Sequence, residues 1–354
     1  MKIVFDGYWW ASGPFSNRTV LVNLINEWRR FYPEDQLTVI YPGKKFGNSN
    51  ISGIHCIKVP WLPHPLFNLV YVWPYSILSF CDYSLVQNFG ILSRKSLVFI
   101  QDVIFLEKRN WFSAAELLYF SIIPRLAKAS RGEIITSSKT EGNRIQCHVQ
   151  SKSVTSVGLG VRHSLTDAVP IRPKSLAISQ GPFYFTVGRD NPRKNLTRLV
   201  SAHRLAYEEV EDFPNLIIVG VTRDEMPSVG SDPSFDTSIQ FLTNLSDSEL
   251  RWLYENGEFT TFLSLDEGFG LPIIEADFFR IPQLVSDIEV FHEVASRSVL
   301  FVNPISVEDI KRKLVELAAK KREIGSSLQL VNRTWEPVIS SIREKFKNIG
   351  NLSG

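Results

Sequence analysis

Two glutamates stand eight residues apart in E-G-F-G-L-P-I-I-E-A, Glu267 to Ala276. The preceding T-T-F-L-S-L reads as a strand, and Pro272 sits where a helix would begin, its usual first-turn position. Glu267 then lies on the loop and Glu275 one turn into the helix, so both can point at one ligand and accept hydrogen bonds from sugar hydroxyls. The loop exposes successive backbone N–H groups, the helix N-terminus adds partial positive charge, and Gly268 and Gly270 permit close backbone approach. A phosphate or a sugar fits such a seat. A tight strand-to-helix turn with solvated glutamates is the plainer reading of the same residues.

A second group is V-G-R-D-N-P-R-K-N-L, Val187 to Leu196. Again a strand ends at a glycine and a helix follows a proline. Arg189, Arg193 and Lys194 gather at the carboxyl end of a strand, where open α/β sheets bind ligands. Guanidinium as a planar fork and ammonium as a point charge suit a diphosphate; a solvated basic turn is the alternative.

The elements that must position these loops alternate along the chain. Lys2–Phe5, Leu37–Tyr41, Tyr83–Gln87, Leu97–Gln101, Glu133–Thr136 and Ser153–Val157 read as strands, with helical patterns over Thr19–Phe31, Ser113–Ala129 and Lys139–His148. Arg162–Gln180 breaks the rhythm with Pro170 and Pro173 and reads as a linker. The alternation then resumes. It runs through strands at Tyr184–Val187, Leu216–Val219, Ser238–Leu242, Thr260–Leu263 and Gln283–Val285, and helices at Leu196–Glu209, Asp247–Glu255, Pro272–Phe278 and Val307–Lys321. Thr334–Asn348 closes the chain as an amphipathic helix. The expectation is an α/β protein of two parallel-sheet domains.

Composition agrees with that class. The 354 residues are 44% hydrophobic and 21% charged, which excludes disordered, collagenous and coiled-coil chains. A net charge of +2 does not suggest a nucleic-acid binder. It hides an asymmetry: residues 1–165 carry 18 Lys and Arg against 10 Asp and Glu, net +8, and residues 166–354 carry 21 against 27, net −6. Three scattered cysteines make no disulfide framework or zinc site. The six histidines lack metal spacing, with His55 and His64 in an aromatic, Pro-rich stretch and most simply structural. Ser137-Ser138 lacks the context of a hydrolase nucleophile. Asp6 follows only three apolar residues, too few for a secretory signal, and Leu66–Phe80 is short of a membrane span and interrupted by Pro74, so the expected location is cytoplasmic.

Taken together and in order, V-G-R, P-R-K-N, L-I-I-V-G, L-S-D-S-E-L-R-W-L-Y, S-L-D-E-G-F-G-L-P-I-I-E-A and P-Q-L-V-S-D-I resemble the glycosyltransferase family 4 proteins, retaining sugar transferases of GT-B fold. The resemblance is strong over residues 180–305. It is looser in the first half, where D-G-Y-W-W-A-S-G-P is similar to the family's first loop and L-V-F-I-Q-D-V-I-F to a central strand. It implies two Rossmann-like domains facing across a cleft: an acceptor domain over 1–165 with the helix at 334–354 packed back on it, and a nucleotide-sugar donor domain over 175–333.

By that resemblance Arg189 and Lys194 hold the donor diphosphate and Glu275 the ribose hydroxyls. Glu267, with the backbone of Gly268, Phe269, Gly270 and Leu271, holds the transferred sugar. Gly13 approaches the donor phosphate, and the base lies against Leu242–Leu245, including Asn244 and Leu245. Gln101-Asp102 stands where many relatives have His-Asp; Gln101 cannot take a proton. The implied reaction moves a hexose-type sugar from a nucleotide sugar to a saccharide or lipid-linked saccharide, in O-antigen, capsule or other surface-polysaccharide synthesis. No Asp-x-Asp occurs, in keeping with a cation-based diphosphate clamp, so no metal or other cofactor is expected. A non-catalytic nucleotide-sugar-binding subunit, suggested by Gln101, and a GT-B-fold nucleotide-sugar epimerase are the rival readings.

Val59–Phe80 concentrates Trp61, Phe67, Tyr71, Trp73, Tyr75 and Phe80 inside the basic half. It reads either as a buried, Pro-kinked helix or as a surface that meets an anionic membrane carrying the acceptor.

Overall fold

The computed structural model describes residues 1–10, 15–43, 53–149, 154–177, 181–189, 191–226, 237–296, 299–320 and 333–351. The chain divides into two compact units, Met1–Gly160 with Thr334–Gly354, and Val161–Arg333.

In the first unit seven parallel strands run in the order β3-β2-β1-β4-β5-β6-β7. They are β1 (Lys2–Asp6), β2 (Gln36–Pro42), β3 (Ile54–Val59), β4 (Tyr83–Gln87), β5 (Ser96–Phe99), β6 (Glu133–Thr136) and β7 (Val154–Ser156). The central strands are buried almost without interruption, as a sheet covered on both faces requires. One covering helix, Phe15–Phe31, turns Val20, Leu21, Leu24, Ile25 and Trp28 inward on a single face.

The closing helix, Trp335–Asn351, packs on this unit through Trp335, Val338, Ile339, Ile342 and Phe346. Phe346 stacks on Tyr83 with centroids 4.7 Å apart. Arg343 grips Asp35 with two hydrogen bonds of 2.9 and 3.1 Å, and Asp35 also accepts from the Met1 ammonium (2.7 Å) and Trp28 Nε1 (3.1 Å). Burial works against the Asp35 charge, yet these donors hold its pKa below the ordinary value.

The second unit has six parallel strands in the order β10-β9-β8-β11-β12-β13. They are β8 (Phe183–Val187), β9 (Asn215–Val219), β10 (Ile239–Leu242), β11 (Thr260–Phe262), β12 (Gln283–Ser286) and β13 (Val299–Val302). Its core joins Tyr184, Leu216, Ile218 and Leu284 from the sheet to Leu199, Ala206, Ile310 and Leu314 from helices Leu196–Glu209 and Val307–Lys320.

Four features depart from the sequence expectation. Strand β3, with His55 on it, and strand β13 are sheet edges whose half-exposed residues give a weak apolar signal. The helix expected over Ser113–Ala129 is two, Ala114–Phe120 and Ile123–Ala129, because Pro124 in the first turn of the second cannot continue the first. The stretch expected as a linker is a strap on the second unit. Arg251 donates to the carbonyls of Thr166 and Ala168, Ile171 N–H to Ser248 O, and Gln240 to Ser175 O.

The fourth is Val59–Phe80. His64–Phe67 and Trp73–Leu78 are α-helical around a π-helical turn at Asn68–Val72, and only one face is buried, through His64, Phe67, Asn68 and Val72. The wider turn brings Val72 to the inner side with Phe67 and Asn68. Trp61, Leu66, Leu69, Val70, Ile77, Leu78 and Phe80 are exposed, Leu78 by 76% and Phe80 by 83%. Among the described residues no helix is long and apolar enough to cross a membrane.

Candidate active site

In each sheet the strand order reverses direction at one place, between β1 and β4 and between β8 and β11. Such switch points open a crevice at the carboxyl ends of the strands. The Arg193-Lys194 loop leaves β8 and the Glu267 loop leaves β11, so two motifs far apart in the chain meet at the second switch point.

Asn191 shapes the first loop by accepting from Arg193 N–H (2.9 Å), and Pro192–Lys194 forms a short 3-10 turn. Asn195, left-handed at φ 59°, redirects the chain into helix Leu196–Glu209 and anchors it by donating to Pro304 O at 2.7 Å. The second loop is tied to the first by Leu265 N–H donating to Arg193 O at 2.8 Å. Gly270 ends it at φ 106°, where a Cβ would stand 3.0 Å from Phe291 and 3.3 Å from Ile273; glycine alone fits this cap of helix Leu271–Phe278.

The result is a fixed carboxylate. Lys194 Nζ lies 2.5 Å from Glu267 Oε1, Ser264 Oγ donates to the same oxygen at 2.8 Å, and Arg193 Nη1 lies 3.0 Å from Oε2. Glu267 is buried, which opposes ionisation, but the two cations and the hydroxyl hold its pKa at about 2. The carboxylate is therefore charged at neutral pH and cannot serve as a general acid. Arg193 and Lys194 thus share the Glu267 carboxylate, and Arg189 stands exposed at the end of β8.

Glu275, one turn into helix Leu271–Phe278, belongs to a neighbouring cluster. Tyr254 hydroxyl donates to its Oε2 at 3.0 Å, and Arg162 Nε lies 3.3 Å from its Oε1 while Arg162 Nη1 pairs with Asp247 at 3.0 Å. Gly268 and Phe269 are buried and Leu271 half-buried. Asn244 is exposed and left-handed at φ 55°, beside the half-buried Leu245 after edge strand β10.

Gln101 and Asp102 lie in the first unit beyond β5, both half-buried. Gln101 Nε2 is buried with no hydrogen-bond partner among the described residues. Val103 N–H donates to Glu141 Oε1 at 2.7 Å, and burial, with Asp102 close by, raises the Glu141 pKa to about 8. At the first switch point the buried Asp6 carboxylate meets His64 Nε2 at 2.6 Å and accepts from Gln87 N–H at 3.0 Å. Gly13 lies outside the described residues. Among the described residues no three His, Cys, Asp or Glu side chains are grouped to hold a metal ion.

Sequence reasoning named Glu267, Lys194, Arg193 and Glu275 and missed Ser264, Tyr254 and Arg162. Arg162 is the least legible of these, because its partner Glu275 comes more than a hundred residues later.

The two parallel sheets, with cation-carboxylate loops at the switch point of the second, define the GT-B class of fold. Two solved structures share it: sucrose-phosphate synthase from Thermosynechococcus elongatus (TM-score 0.73, 12% identity, 99% of each chain) and WaaG, a glycosyltransferase involved in lipopolysaccharide biosynthesis (TM-score 0.71, 14% identity, 99% of this chain and 95% of that one). Residues 169–328 match the family model for glycosyl transferases group 1. The O-antigen chain mannosyltransferase RfbU of Salmonella typhimurium is 29% identical over 197 residues, 54% of this chain and 52% of that protein. The chain thus spans about half the length of this curated relative.

Proposed function

We propose that this chain is a glycosyltransferase of surface-polysaccharide synthesis that moves a hexose-type sugar from a nucleotide sugar to a saccharide or lipid-linked saccharide. The observation that carries the reading is the Arg193-Lys194-Glu267 node at the switch point of the second sheet, inside the region that matches the family model. The Arg193 and Lys194 cations, with Arg189, suit the negative charge that develops on a departing nucleoside diphosphate; preorganised charge of this kind stabilises a transition state without reorganisation. Glu267, ionised and immobile, accepts hydrogen bonds from the transferred sugar and balances positive charge at its anomeric carbon. The bond from that carbon to the diphosphate breaks as the acceptor hydroxyl approaches the same face, giving retention, and a donor phosphate oxygen takes the acceptor proton. The cations replace a metal ion in this scheme. Similarity to an O-antigen mannosyltransferase favours mannose as the sugar.

The acceptor side belongs to the first unit. The outward face of Trp61–Phe80 supports peripheral contact with an anionic membrane: seven large apolar side chains are exposed there, and the sequence from Gln36 to Cys81 carries no acidic residue.

One observation favours a second reading. Gln101 offers no base, so a subunit that binds the nucleotide sugar without turning it over is the rival. Incubation with a panel of GDP- and UDP-linked hexoses and a polyprenyl-diphosphate oligosaccharide separates the two. A product with the donor's anomeric configuration supports the transferase; donor binding without transfer or hydrolysis supports the binding subunit.

A further inference from the structure

We propose that Arg162 is a positioning residue for nucleoside recognition: from the strap that opens the second unit, its guanidinium orients the Glu275 carboxylate so that it can accept the ribose hydroxyls. This rests on the reading of Glu275 given above and adds to it a residue that no local motif marks.

The geometry is specific. Glu275 is buried, with Tyr254 donating to Oε2 at 3.0 Å and Arg162 Nε 3.3 Å from Oε1. Asp247, which pairs with Arg162 at 3.0 Å, is the third charged or titratable group acting on Glu275. A carboxylate has about four lone-pair sites; the Tyr254 hydrogen bond at Oε2 and the Arg162 charge beside Oε1, an ion pair in which Nε makes no hydrogen bond, hold it in place and leave acceptor capacity for two neighbouring hydroxyls. Without the guanidinium the same carboxylate would be buried beside Asp247 with a single neutral donor. Burial already pushes the Glu275 pKa up, and Arg162 is the largest influence opposing that rise. Loss of Arg162 therefore favours the protonated acid, which accepts fewer hydrogen bonds and can turn its own proton toward the ligand.

Arg162 is not what holds the strap in place. Arg251 grips the carbonyls of Thr166 and Ala168, and Ile171 N–H bonds Ser248 O at 3.1 Å. The strap keeps these ties when Arg162 is replaced, so a substitution tests the carboxylate rather than the fold.

The experiment is calorimetric titration of GDP and of UDP into the full chain at about pH 6 and about pH 9. Wild type, Arg162→Met, Arg162→Lys, Glu275→Gln and the Met/Gln double variant are compared, with thermal unfolding measured alongside. The wild type is expected to bind one of the two, and its affinity at each pH is the reference that removes the nucleotide's own titration from the comparison. Arg162→Met should bind at least about tenfold more weakly at the lower pH and recover most of that loss at the higher one, as Glu275 ionises. Arg162→Lys should restore affinity at the lower pH, and Arg162→Met should cost nothing further in the Glu275→Gln background. A merely structural arginine would lower the unfolding temperature and weaken binding equally at both pH values; that result, or wild-type affinity in Arg162→Met, overturns the positioning role. Failure of the wild type to bind either nucleotide overturns the reading of Glu275 itself, and this proposal with it.

Discussion

Lys194 Nζ and Glu267 Oε1, 73 residues apart in the chain, stand 2.5 Å from each other where the second sheet reverses its strand order. The contact makes one electrostatic unit of two loops. Arg193 on the other carboxylate oxygen completes it, so removing either cation changes the state of Glu267 as well as the local charge.

Lys194→Ala should lower transfer by about 10²–10³ without unfolding the protein, because the lost charge acts on the leaving diphosphate. Arg189, exposed at the end of β8, should show a loss of the same order in Arg189→Ala, with no change in unfolding temperature. Steady-state kinetics on both variants check this; near-normal turnover in the pair would remove the diphosphate assignment.

Turnover should survive chelation. The scheme gives the diphosphate charge to Arg189, Arg193 and Lys194, so EDTA should leave the rate of the purified protein unchanged. A rate abolished by EDTA and restored by Mg²⁺ or Mn²⁺ would show that the cations do not suffice.

His203 is fully buried between Tyr184, whose hydroxyl lies 2.8 Å from Nδ1, and Ser238, and burial lowers its pKa to about 3. The sign follows from linkage. Above the unfolded value of about 6.5 the ring is neutral in both states and its packing counts in full. As pH falls from there toward about 3 the unfolded chain takes up a proton that the folded chain refuses, and stability drops by up to about 1.4 kcal/mol per pH unit. Urea melts across this window should show a steeper acid loss in the wild type than in His203→Asn. Equal slopes would mean that His203 titrates normally in the fold.

Arg280 occupies the left-handed position that ends helix Leu271–Phe278, at φ 55°, with its own N–H on Asp277 O and Ile281 N–H on Ala276 O, both at 3.1 Å. That bonding pattern is the one glycine closes most readily. Arg280→Gly should therefore stabilise the protein by about 0.5–1 kcal/mol, since relief of strain outweighs the added freedom of the unfolded chain. A lower unfolding temperature in this variant would show that the side chain compensates for its backbone.

The fold was legible wherever strands are central. Tyr83–Gln87 and Glu133–Thr136 emerge from the sequence with the bounds they have in the structure, because both faces of those strands are covered. Edge strands Ile54–Val59 and Val299–Val302 were not, since half-exposed residues dilute the pattern. In the candidate site the legible residues share a short motif. Glu267 and Glu275 announce themselves together, whereas Arg162 and Tyr254 reach Glu275 only through tertiary packing, which leaves no trace in local spacing. The exposed face of Trp61–Phe80 was ambiguous for another reason: an aromatic-rich helix has the same composition whether its second face meets protein or water.

That face yields a prediction of its own. The full chain should co-sediment with liposomes containing anionic lipid at low salt and much less at high salt, as charges screened over about 8 Å require. Leu78→Ser with Phe80→Ser should weaken that binding, both side chains being exposed. Equal recovery in the supernatant under every condition would argue for an acceptor that is not membrane-bound.

The most direct measurement is thermal unfolding of the wild type and of Lys194→Ala against a panel of GDP- and UDP-linked hexoses. The account predicts that at least one member stabilises the wild type, by about 2.7 kcal/mol at a hundred times its dissociation constant. It predicts that the same compound at the same concentration does much less for Lys194→Ala. Indifference of the wild type to every member, or undiminished stabilisation of the variant, would contradict it.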